Sequence, residues 1–213
     1  MTVPASIVRD TGGCRESHAN LIATLTGLDN LDPTRPSRLP GWSVGHVLTH
    51  LARNADSHVD MLDGRPQYPS VEQRNTDIDT GADRDADTLI ADVTTSITRL
   101  EAAWEAVTDW DLTATTLSGT RPGVSLPLLR WREVEVHRVD LGLGDDLDSD
   151  LAGMNRAYVR IDLHHLEMMW RARRPMGLTP LPAVVLAEPP HRRLGWFMGR
   201  IDIDGVGPAG MIS

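Results

Sequence analysis

Four segments of this chain carry apolar residues at the three-and-four spacing of an amphipathic helix, and this repetition limits what the chain can fold into. The first covers residues 6–28, with Ile7, Leu21, Ile22, Leu25 and Leu28 on its apolar side, weakened early by Gly12 and Gly13. The second starts after Trp42, with Ser43 as a plausible N-cap, and runs through Val44, Val47, Leu48, Leu51, Ala55 and Leu62 to a stop at Gly64-Arg65-Pro66. The third covers residues 85–108, with Leu89, Ile90, Val93, Ile97, Leu100 and Trp104. The fourth runs from about Ser125 to Leu143, with Leu128, Leu129, Val136 and Val139, and stops at Gly142-Leu143-Gly144. Between them lie a Pro-rich loop (31–40), a polar stretch from Tyr68 to Asp83 expected to be a long crossover loop, and a turn-rich connection from Asp109 to Gly123. The pattern predicts a mainly α fold, a four-helix bundle.

From Asp148 the character changes. Leu151–Arg173 reads as a further helix, Val184–Ala187 as a short strand between prolines, His191–Arg200 as a short helix and Met211–Ser213 as a terminal strand. The expected division is a bundle over 1–147 and a small α/β C-terminal region over 148–213. His164 and His165 are adjacent, so on a helix they point about 100° apart and read as structural or exposed.

The net charge of −9 argues against nucleic acid as the main partner. The acidic residues gather in Asp77–Asp92 and Asp145–Asp150, as solvated loops and helix starts do. Cys14 is the only cysteine, so an internal disulfide is impossible, and it reads as a small apolar residue. Any thiol chemistry must then come from a bound cofactor. There is no N-terminal apolar leader and no run of about 18 apolar residues, so the expectation is a soluble cytoplasmic protein without a membrane partner.

Chemistry concentrates in the fourth segment. Glu133 and His137 are four residues apart and lie one above the other on a helix. A carboxylate oxygen and an imidazole nitrogen then converge on one point. Alone, such a pair is more often a helical ion pair than a metal site. Asp140, three residues beyond His137, is placed to accept a hydrogen bond from the ring nitrogen that a metal would leave free. The second segment adds His46 and His50, also four apart.

Two stretches, Leu39–Asn54 (LPGWSVGHVLTHLARN) and Arg132–Leu141 (REVEVHRVDL), together resemble the mycothiol-dependent maleylpyruvate isomerase family, which belongs to the DinB-like metal-binding helical bundles. The likeness is good over residues 10–143 and looser beyond. It implies a DinB-like four-helix bundle with metal ligands at His50, Glu133 and His137, while His46 matches no ligand and falls to helix packing or to the surroundings of the site. It also implies that Arg200 helps to bind anionic ligands, for which a guanidinium fork is suited. Arg53 and Arg132 are weaker candidates for assistance.

Two imidazoles and a carboxylate with an open fourth position suit zinc or another divalent metal. The resemblance implies mycothiol as the thiol cofactor and a cis–trans isomerisation of maleylpyruvate to fumarylpyruvate. Thiol S-transfer to another small anionic electrophile is the first alternative, and a non-catalytic metal-binding bundle the second. A hydrolytic zinc enzyme ranks last, because no separate Glu stands as a general base. The oligomeric state is not fixed by the sequence, with a monomer as the default.

Overall fold

The computed structural model describes residues 3–173 and 179–211. The chain divides into two compact units, Met1–Leu141 and Gly142–Ser213. In the first unit, helices α1 (Ala5–Thr26), α2 (Val44–Leu62), α4 (Ala86–Ala106) and α5 (Leu126–Leu141) pack on one another. α2 lies against α4 and α5, α1 against α5 and α4, and α3 (Val71–Ala82) against α2. The apolar stripes read in the sequence become the core: Val44, Val47, Leu48, Leu51 and Ala55 of α2, and Leu89, Val93 and Leu100 of α4, are fully buried.

Local chemistry sets the helix starts. The Ser43 hydroxyl accepts from the His46 backbone N–H, and the His46 side chain accepts in return from the Ser43 N–H, closing a capping box at the head of α2. Asp85 caps α4 through the Thr88 N–H. Gly45 is required by close approach: a Cβ there would stand 2.1 Å from the Ala82 carbonyl oxygen at the end of α3.

Two expected connections are ordered elements instead. The polar stretch over Tyr68–Asp83 contains α3, started by Ser70 accepting from the Gln73 N–H. Only Ile78 and Ala82 of α3 are buried, too few to leave a helical stripe in the sequence. Asp109–Gly123 holds a hairpin in which β1 (Thr113–Thr116) pairs antiparallel with β2 (Gly119–Pro122), turned by Gly119 at φ +110°.

The second unit is built from α6 (Leu147–Ala152), α7 (Arg156–Ala172), α8 (Ala183–Ala187) and α9 (Pro190–Phe197). The single helix expected over Leu151–Arg173 is divided at Gly153–Asn155, because Asn155 caps a new helix by accepting from the Ala157 and Tyr158 N–H groups. Val184–Ala187, expected as a strand, lies in α8. A four-residue apolar run cannot be assigned by periodicity, and Pro182 is suited to precede a helix. Met211 lies in a bend, and the rest of the proposed terminal strand falls outside the described residues. The described residues of this unit show an isolated bridge, Ile203 with Val206, and no longer strand. Its core centres on Trp170, Trp196 and Phe197, with ring centroids 5.0–6.0 Å apart. No helix among the described residues is long and apolar enough to cross a membrane.

Candidate metal centre

Within the first unit, α2 and α5 bring His50, Glu133 and His137 together, with one ligand-type atom from each lying within 4.8 Å of the others. His50 Nε2 is 2.9 Å and His137 Nε2 3.5 Å from the same oxygen, Glu133 Oε2. The two imidazoles meet edge to face, with centroids 4.5 Å apart. The i,i+4 spacing on α5 supplies two of the three groups, and α2 presents the third from across the interface. Glu133 keeps about a third of its side chain exposed, 33%, so the cluster is reachable from outside.

Asp140 does what its spacing foretold. Its Oδ2 accepts from His137 Nδ1 at 2.8 Å, and the carboxylate is fully buried. This fixes the ring and turns Nε2 toward the cluster. Burial opposes charge on His137, but the hydrogen bonds to Asp140 and Glu133 prevail and raise its pKa to about 9. His50 goes the other way, lowered to about 4 by burial and the nearby His137. Glu133 is also opposed by burial, yet its hydrogen bonds to His137 and His50 hold it well below the usual carboxylate range. Two nitrogens and one anionic oxygen converging on an accessible point, with one imidazole braced from behind, fit zinc or a similar divalent cation.

Several neighbours were not legible in the sequence. Trp42 sets its ring edge-on to His50, with centroids 5.7 Å apart, and a cavity of about 500 Å³ is lined by Trp42, His46 and the Pro-rich loop. Arg74, on the unforeseen α3, reaches within 3.3 Å of His50 Nδ1. Nothing local marks it: α3 reads as polar loop, and an arginine there looks like surface.

Other candidates lie elsewhere. His46 serves the α2 cap and is 3.9 Å from Asp79. Arg53 pairs with Asp92 at 2.6 Å and Asp56 at 3.1 Å, in an ion network with Arg84 and Arg99 along α2 and α4. Arg132 is half-buried on α5 and outside the cluster. Arg200 belongs to the second unit, where its Nη1 donates to the Met198 carbonyl at 2.7 Å. His164 and His165 are exposed. Cys14 is buried, and burial pushes its thiol pKa up, so it is not a thiolate at neutral pH.

A helical bundle carrying an accessible cluster of two histidines and one carboxylate defines a mainly α, DinB-like fold with a candidate metal site. Residues 14–142 match the family model described as the mycothiol maleylpyruvate isomerase N-terminal domain, and the chain belongs to that family. Two solved structures, of the mycothiol-dependent maleylpyruvate isomerase and of a histidine-to-alanine variant of it, are similar to this chain. Each is 25% identical, covers 81% of this chain and 75% of its own, and superposes with a TM-score of 0.70. No curated protein sequence matches.

Proposed function

We propose that this protein is a metal-dependent, mycothiol-dependent cis–trans isomerase of the maleylpyruvate-to-fumarylpyruvate type. The observation that carries the reading is the convergence of His50, Glu133 and His137 in a member of this family. Those three residues would hold the metal, with zinc the best match to the donor set. When bound, the cation lowers the pKa of a thiol from about 8.5, so that a thiolate exists at neutral pH to add reversibly to a cis double bond and leave a single bond free to rotate.

The chain's own residues prepare that chemistry. Asp140 takes the Nδ1 proton of His137 in a hydrogen bond and so commits Nε2 to the cluster. Glu133 supplies the single negative charge, which leaves a divalent ion at this site net positive and attractive to a thiolate and to anionic substrates. Trp42 sets its ring edge-on to His50, which is itself buried. Arg200 is carried as the anion-binding residue that the family resemblance implies. Its replacement by Ala is expected to weaken substrate or thiol binding, read as a rise in KM.

The test is an absorbance assay of zinc-loaded protein with maleylpyruvate, with and without mycothiol. Thiol-dependent formation of fumarylpyruvate is expected. His50→Ala should lose both bound metal and turnover, and full activity in a metal-free H50A protein would sink the site assignment. Zinc and thiol binding without isomerisation would point instead to S-transfer onto another electrophile.

A further inference from the structure

The chain has 30 carboxylate residues for 21 arginines, and arginine is its only basic residue apart from histidine. Many described arginines of the first unit use this excess: Arg9, Arg15, Arg53, Arg65, Arg84, Arg99 and Arg138 each pair with an Asp or Glu. Arg74 does not. It is half-buried on α3 and has no carboxylate within 4.0 Å among the described residues. Among the described residues its hydrogen bonds of ordinary geometry are with Asn75 Oδ1 at 3.0 Å and His50 Nδ1 at 3.3 Å. Its guanidinium carbon lies 6.0 Å from the Trp42 ring centre and 5.9 Å from that of Tyr68. Aromatic faces at this distance orient a cation without neutralising it.

Tyr68 adds an independent sign. It is 91% buried, and its hydroxyl, beside Ser57 and Arg74, makes no hydrogen bond of ordinary geometry. A buried O–H without an acceptor is costly, because its hydration is lost and not replaced. Such a cost is offset where a ligand supplies the missing acceptor. A guanidinium without a carboxylate partner and a hydroxyl without an ordinary hydrogen bond thus stand together beside the candidate metal cluster.

We propose that Arg74, with the Tyr68 hydroxyl beside it, is the carboxylate-binding end of the substrate site and takes the carboxylate attached to the substrate's double bond. The anion site rests on the geometry; the identity of the substrate rests on the isomerase reading above. The carbon that a thiolate attacks in conjugate addition to the ketone bears this carboxylate, so the two negative charges approach within a few bonds. A guanidinium on the carboxylate removes that repulsion and fixes the face presented to the cluster. Were His50 Nε2 to hold a cation, the neutral ring would carry its proton on Nδ1 and offer no acceptor there, which would release Arg74 for a carboxylate.

The test uses the zinc-loaded full chain and its Arg74→Met, Arg74→Lys and Tyr68→Phe variants. Metal content is measured by elemental analysis, and binding of maleate, a cis-dicarboxylate probe, by calorimetry without thiol. Steady-state constants for maleylpyruvate and mycothiol are measured in parallel. Arg74→Met should keep its metal, bind maleate about 10- to 100-fold more weakly, and raise KM for maleylpyruvate by a similar factor, as for loss of a charged hydrogen bond. KM for mycothiol should stay within twofold. Arg74→Lys should recover part of the loss, and Tyr68→Phe should show a few-fold effect. Maleate affinity and KM within twofold of wild type in R74M would overturn the proposal. Loss of metal from R74M would also overturn it, since Arg74 would then merely position His50. Wild-type protein that binds maleate through Arg74 but does not isomerise maleylpyruvate would leave the anion site standing while the isomerase reading fell. Wild-type protein that binds no maleate would remove the anion site whatever its turnover.

Discussion

Asp140 shows how much one residue outside the ligand set decides. His137 is held by a fully buried carboxylate at 2.8 Å, so its ring has neither a second orientation nor a second tautomer to sample. Replacing Asp140 with Asn keeps the volume but removes the charge that polarises the imidazole. The expected result is a fall in metal affinity of about 10- to 100-fold, as for other carboxylates that brace a ligating histidine. Competition against a chelator of known affinity measures it, and an unchanged affinity would show that His137 needs no brace. This residue was legible because its partner is three positions away on one helix, where spacing alone fixes proximity. His50 was legible only through the family resemblance, since 83 residues separate it from Glu133. Arg74 and Tyr68 were not legible at all. Their significance lies in the carboxylate or acceptor they lack, and a sequence does not record unmet hydrogen bonds.

At the level of whole elements, the joint between α1 and α5 turns on a pair of glycines. Both weaken a helix equally by propensity, yet their surroundings differ. A Cβ at Gly13 would stand 2.0 Å from the Trp131 ring, whereas nothing lies within 4 Å of one at Gly12. The ring has no room to retreat. Its Nε1 donates to Ser17 Oγ at 2.7 Å, and Ser17 Oγ donates to Glu135 Oε1 at 2.5 Å, all in the buried interface. Gly12→Ala should therefore stabilise the protein by about 0.5–1 kcal/mol. Gly13→Ala should destabilise it by about 1–3 kcal/mol through overpacking, despite the same gain in propensity. Urea unfolding of the two variants decides this, and equal shifts would show that Trp131 does not constrain the joint. The same distinction explains which elements could be read in advance. α2 and α4 bury continuous stripes and announce themselves, whereas α3 buries Ile78 and Ala82 alone and the hairpin's β1 only Ala114. Elements that contribute little core leave little periodicity behind.

Across the first unit as a whole, the buried polar groups make folding sensitive to acid. His18 is locked as a neutral ring: Arg130 Nε can only donate to its Nε2, at 3.2 Å, so its proton sits on Nδ1, 2.8 Å from Glu101. Burial lowers its pKa to about 4 despite that carboxylate. His58 is also buried, with Arg130, Glu133 and His18 near it and Nδ1 unpaired, and burial lowers it to about 3. Both rings are less basic folded than unfolded, where the pKa is about 6.5. The unfolded chain therefore takes up protons below about pH 6.5 that the folded chain refuses until about pH 4 or 3. Stability should be complete above that window and fall as pH drops through it, by about 1.4 kcal/mol per pH unit for each ring at most. Arg130 adds to the effect, because it is fully buried and its acceptors among the described residues (Leu51 carbonyl, Asn54 Oδ1 and His18) are neutral, so a second positive charge beside it is disfavoured. Replacing His58 with Leu removes one titrating group and one buried orphan nitrogen together. Between pH 6 and 4.5 the stability of H58L, followed by urea unfolding at each pH, should decline less steeply than that of the wild type by about one proton's worth of slope. Parallel declines would mean that His58 is already charged in the folded chain, and that the unpaired Nδ1 finds a partner there.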